Sequence, residues 1–186
     1  MTLGEAKNRV YMLLDEHSAG GVVEHDPDIE AKMVNFFDIG QKLLAQLKKI
    51  IKVKSITPAA GKTEYAMPED FMAIYRIWRD GSVVTSRYQF IGKKMIIPER
   101  DLGRDIRVEY FAIPETIPAE AGDDYEFELP EDACACLPYY VAAQQLLPDL
   151  VMDYGAMLTM YQLAVQNLSS GVPGGPGRLQ QSFYRA

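Results

Sequence analysis

Apolar residues recur at helical spacing over 3–16, where Leu3, Ala6, Val10, Leu13 and Leu14 share one face. Thr2 followed by Glu5 is a capping-box pattern, in which each side chain satisfies the other's exposed amide. The Ser-Ala-Gly-Gly run at 18–21 closes the segment. A longer helix is predicted over 28–51, with Asp26 as its N-cap and Pro27 in its first turn. Ile29, Met33, Phe36, Phe37, Gly40, Leu43, Leu44, Leu47, Ile50 and Ile51 keep helical spacing along its whole length.

The period then changes. Val53, Ser55 and Thr57 alternate into a Pro-Ala-Ala-Gly-Lys turn, and the chain returns through Tyr65. Further short strands are predicted over 72–79, 82–85, 88–91, 94–97 and 106–113. The dipeptide Asp80-Gly81 separates two of them and is the kind of turn that a hairpin requires. An acidic connector follows, and helical spacing resumes after Leu129-Pro130-Glu131 over 131–147 and 149–168. Pro138 is expected to kink the first of these helices or divide it in two.

These patterns predict an α+β chain, mainly a helical bundle, with a small antiparallel β-meander inserted over 53–113 and a flexible C-terminal tail. Residues 1–168 form a single domain. Residues 169–186 form the tail, because the Gly- and Pro-rich run has little to bury. That tail ends in a segment bearing Arg178, Leu179, Phe183, Tyr184 and Arg185, side chains of the kind that anchor interfaces, and it is expected to dock on a partner.

The chain has 186 residues and a net charge of -7, a balance unlike that of a protein built to grip nucleic-acid phosphates. Lys48, Lys49, Lys52 and Lys54 form its one basic run. At the end of the predicted long helix these lysines would face the negative end of the helix dipole, and they are also candidate contacts for DNA or an acidic partner. Cys134 and Cys136 lie two apart in a helical pattern, so they cannot face one metal, and they read as buried thiols of a reducing compartment. No metal or other cofactor is expected. The opening MTLGEAKNRVYMLLDE is amphipathic rather than a secretory leader, and no apolar stretch has bilayer length, so a soluble chain with no membrane partner is expected.

Candidate chemistry is sparse. His17 and His25 lie near helix ends, where they read as capping or helix-end charges. Asp123, Asp124, Glu126, Glu128, Glu131 and Asp132 cluster around a connector and a helix start, where carboxylates face water or the positive end of a helix. Trp78 is expected to pack within the meander. The chain is therefore expected not to be an enzyme.

The order of these features resembles the head–tail adaptor, or connector, proteins of tailed bacteriophages. The likeness runs over 1–168: two N-terminal helices, the Pro-Glu-Asp-Phe step ending at Phe71, the Arg79-Asp80-Gly81 hairpin, the strand Val108-Glu109-Tyr110-Phe111 leading to Ile113-Pro114-Glu115, and Leu129-Pro130-Glu131 ahead of Tyr139-Tyr140-Val141. The resemblance implies a homo-oligomeric ring, commonly of twelve copies, beneath the portal vertex of a capsid. Such a ring extends the DNA channel without binding DNA specifically and carries the next tail or nozzle protein. It implies a C-terminal tail that docks on the portal protein, which maps here onto 178–186. Its place would be the neck of the virion, and the host cytoplasm during assembly. Other readings are a stopper, tail-completion or baseplate protein, a small cell-wall hydrolase using His17 or His25 with an aspartate of 123–132, and a nucleic-acid-binding module through Lys48 to Lys54.

Overall fold

The computed structural model describes residues 1–17, 27–84, 88–146 and 152–168. The chain begins with α1 (Leu3–His17) and α2 (Pro27–Leu47). At the start of α1 the Thr2 amide donates to Glu5 Oε2 at 2.9 Å, and the Glu5 amide donates to Thr2 Oγ1 at 3.3 Å. This is the reciprocal cap that the sequence spells out.

The long helix ends earlier than its apolar stripe predicts. Ile50 and Ile51 belong to β1 (Ile50–Ile56), not to α2. Their apolar character continues the helical spacing, but as β-branched residues beside Val53 they suit a pleated strand better. Pairing across the sheet decides the matter: Ile50 lies opposite Ala112 and Ile51 opposite Phe111.

The strands form two antiparallel sheets rather than one small meander, and the fold is a balanced α+β arrangement rather than mainly a helical bundle. After β1 come β2 (Glu64–Ala66), β3 (Phe71–Arg79), β4 (Ser82–Val83), β5 (Gln89–Ile91), β6 (Lys94–Ile96), a 3-10 turn (Glu99–Asp101) and β7 (Ile106–Ala112). The larger sheet has the order β1-β7-β3-β4 and the smaller β2-β6-β5. A meander would pair β1 with β2. Instead β7 enters between β1 and β3, and its alternate residues Ile106, Val108, Tyr110 and Ala112 turn one fully buried face to the core. At the tip of β3 and β4, Asp80 and Gly81 have φ of 49° and 79°, the paired positive values of a tight hairpin turn.

The two sheets close one core around Met95, Ile97, Ile106, Val108 and Tyr110. Phe71 and Phe90 stack across it with their ring planes 4° apart. A second core lies among the helices. Its centre is α4 (Leu137–Leu146), where Leu137, Val141, Ala142 and Ala143 are fully buried. The predicted single helix over 131–147 is divided: α3 (Glu131–Cys134) ends ahead of α4, and Pro138 occupies the first turn of α4, where its missing N–H breaks no helical bond. The last helix, α5 (Met152–Asn167), packs on α4 through Met157 and through Tyr161, whose ring lies 5.4 Å from that of Tyr140. Ile50 touches both cores and marks where they meet.

Candidate functional site

Between β7 and α3 the connector 113–130 crosses the join between sheets and helices, and three polar groups fix it there. In the first, Lys52 of β1 extends its ammonium to Glu128 Oε1 at 2.9 Å and to Asp70 Oδ2 at 3.1 Å. Glu128 accepts the Glu115 amide through its other oxygen, and Asp70 accepts the Tyr110 hydroxyl at 3.0 Å. Burial opposes the charged form of Lys52, yet the hydrogen bonds and charges of Glu128 and Asp70 outweigh it and hold its pKa well above the ordinary lysine value. Burial first, and then the bond to Asp70, raise the Tyr110 phenol.

In the second group, Asp38 of α2 accepts the Ile117 amide at 3.0 Å and pairs with Lys42 at 2.7 Å. One turn of helix brings the buried Gln41 alongside, and its Nε2 donates to the Glu115 carbonyl at 2.8 Å. In the third, Lys7 of α1 meets Asp123 at 2.9 Å and Glu30 of α2 at 3.4 Å. Lys48, just past α2, pairs with Asp132 at the start of α3, and that hydrogen bond holds the Asp132 carboxyl below its usual range.

The predicted basic run is therefore divided, with Lys48 and Lys49 directly after α2 and the other two lysines in the sheet. Lys52 and Lys54 lie in β1, and α2 carries no basic residue in its last turn. Lys48 and Lys52 are engaged within the chain, and Lys49 stands 5.8 Å from the centre of the Phe111 ring. Lys54 is exposed. Of the acidic cluster, Asp123, Glu128 and Asp132 are ion-paired, whereas Asp124, Glu126 and Glu131 are exposed.

Cys134 and Cys136 are buried. The Cys134 thiol donates to the Leu129 carbonyl at 3.3 Å, and burial pushes its pKa up to about 11. Among the described residues, no cluster of His, Cys, Asp and Glu has metal-site geometry, and no helix is long and apolar enough to cross a membrane. His17 ends α1. His25 and the predicted docking residues Arg178, Leu179, Phe183, Tyr184 and Arg185 lie outside the described residues.

Two features escaped the sequence reading. Asp101, in the segment between the strands predicted over 94–97 and 106–113, is 2% exposed; it accepts Arg79 Nη1 at 2.9 Å and the Tyr88 hydroxyl at 3.0 Å. No local signal separates this aspartate from a solvated turn residue. The other feature was visible but hidden in a longer pattern. On α2, Ile39, Leu43 and Leu47 follow one another at successive turns and are 40%, 42% and 54% exposed. They form an apolar stripe that neither core covers, and Met160 and Leu163 of α5 are exposed likewise.

No protein-family model matches the chain, and no curated protein does. Among solved structures, it is similar to a chain from the neck of an empty GTA particle computed with C6 symmetry, at 12% identity and a TM-score of 0.31, with 87% of this chain and 91% of that chain covered. A likeness so slight carries no role across.

Proposed function

We propose that this chain is a structural, non-enzymatic subunit of a ring in the neck of a phage-like particle, joining the portal to the tail and continuing the DNA channel. The observation that carries the reading is the uncovered stripe of Ile39, Leu43 and Leu47 on α2. Large apolar side chains lined up on one helix face mark a surface meant for another protein. A ring subunit needs such a face towards its neighbour, and it needs a rigid body to hold that face at a fixed angle. The ion pairs of Lys52 and Lys48 and the Asp38 cluster supply that rigidity by tying the connector to both layers.

The order of sequence features shared with the head–tail adaptors supports the same reading, and the acidic balance suits a channel that DNA crosses without adhering. The tail at 178–186 would lace the ring to the portal, in the manner of a tethered anchor. Sizing the purified chain alone and mixed with its portal protein tests the proposal. A ring-sized species that co-migrates with the portal supports it; a chain that never associates with the portal contradicts it.

A further inference from the structure

At the far end of the larger sheet, the β3–β4 hairpin and the Glu99–Asp101 turn enclose a shallow groove of about 340 Å³. Three arginines line it, Arg79, Arg100 and Arg104, against the carboxylates of Asp80 and Asp101. This leaves the groove one positive charge in excess, on a chain whose net charge is -7. Both carboxylates are already committed. Asp101 holds Arg79 and the Tyr88 hydroxyl, while Asp80 holds Arg104 at 2.9 Å and the Asp105 amide at 3.1 Å. Arg100 is exposed and has no ion-pair partner among the described residues. A guanidinium carries five N–H donors, so the groove retains capacity for a further oxyanion.

The same chain offers oxyanions elsewhere. Its connector and the start of α3, residues 115–132, contain acidic residues and no basic one. Within it Glu120 and Asp124 are exposed, with no ion-pair partner among the described residues. These acids sit at the opposite end of the molecule from the groove. Arg79 pairs with Ile106 at one end of β7, whereas the connector leaves from Ala112 at the other, where Phe71 is the partner. The length of β3 between those two points is about 25 Å.

We propose that the arginine groove receives the acidic connector of a second copy of this chain, through Glu120 and Asp124. Different patches meet in such a contact, so it is head-to-tail and closes into a ring when the rotation between subunits allows. The inference rests on the ring reading above and assigns one of its subunit contacts. Duplex DNA is the weaker occupant, because a phosphate backbone calls for a wide field of cations, whereas this groove holds a single charge in excess.

The test is native mass spectrometry of the full chain over a concentration series, with three variants: Arg100→Glu, the double variant Glu120→Lys/Asp124→Lys, and all three changes combined. None of these side chains is ion-paired among the described residues, so thermal melts matching the wild type are expected and confirm that each variant folds. Each charge reversal should weaken association about tenfold or more, and the combined variant should recover it. If the wild type assembles and Arg100→Glu assembles equally well, or if the combined variant fails to recover, this contact is wrong while the ring stands. If the wild type remains monomeric at every concentration and also when mixed with its portal protein, the ring reading falls and takes the contact with it. A labelled duplex that binds the wild type at low salt and loses affinity only in Arg100→Glu, with assembly unchanged, would overturn the proposal in favour of phosphate.

Discussion

Lys52 and Glu128 lie 2.9 Å apart across the join between the larger sheet and the helical layer. One belongs to a strand that pairs with β7, the other to the connector that β7 feeds. Asp70, one element further on, takes the same ammonium, so one lysine fastens three segments. Replacing it with methionine keeps the stem but leaves two half-buried carboxylates without their cation. Lys52→Met should cost about 1 kcal/mol at neutral pH, read from urea unfolding, the exposure of the group keeping the figure near the range for surface pairs.

This ion pair and that of Lys48 with Asp132 give pH signatures of opposite sign. The folded pKa of Lys52 is raised, so its contribution is complete below the ordinary lysine value of 10.5 and is lost as pH rises through the higher folded value. The folded pKa of Asp132 is depressed, so its contribution is present above the ordinary value of 3.8 and is lost as pH falls through the lower folded one. Thermal melts should therefore show an alkaline decline that is smaller in Lys52→Met than in the wild type, and an acid decline to which the Asp132 pair contributes.

Asp101 should be the most sensitive carboxylate of the sheet region. Its substitution by alanine strips the Arg79 guanidinium and the Tyr88 hydroxyl of their acceptor at a site that is 2% exposed. Asp101→Ala should destabilise by about 2 kcal/mol, the partial exposure of Arg79 placing it below a fully buried pair. Asp101→Asn, which keeps the shape, should lose less. Chemical denaturation of both variants checks the order.

Gly40 sets the approach of α2 to α4. A Cβ there would stand 2.9 Å from Tyr140 Cδ1 and 3.0 Å from Leu137 Cδ2. Leu137 is fully buried, and Tyr140 packs on Tyr161, so neither can withdraw freely. Alanine would gain about 1 kcal/mol of helix propensity and lose about 1–3 kcal/mol to overpacking. Gly40→Ala should therefore lower the melting temperature; a rise would show that α2 and α4 sit further apart.

Much of this arrangement was legible in the sequence where the determinants are local. The Thr2–Glu5 cap, the Asp80-Gly81 hairpin and the break at Pro138 each follow from the chemistry of neighbouring residues. The strand order was not legible. Pairing of β1 with β7 brings together residues 50 to 62 positions apart, from Ile56 with Ile106 to Ile50 with Ala112, and nothing in either strand alone names its partner. The end of α2 was missed for a related reason: Ile50 and Ile51 extend an apolar helical stripe, and only cross-strand pairing draws them into the sheet. Leu43 and Leu47 stood in the same helical pattern as the buried Met33 and Leu44, and Ile39 stood outside it, because spacing alone cannot say which side of a helix is covered.

The claim that this chain joins a particle's head to its tail is tested most directly by removing its gene from the particle that encodes it and imaging the products by electron microscopy. The account predicts DNA-filled heads and free tails that do not join, with joining restored when the intact gene is supplied in trans. Complete tailed particles assembled without the protein would contradict it.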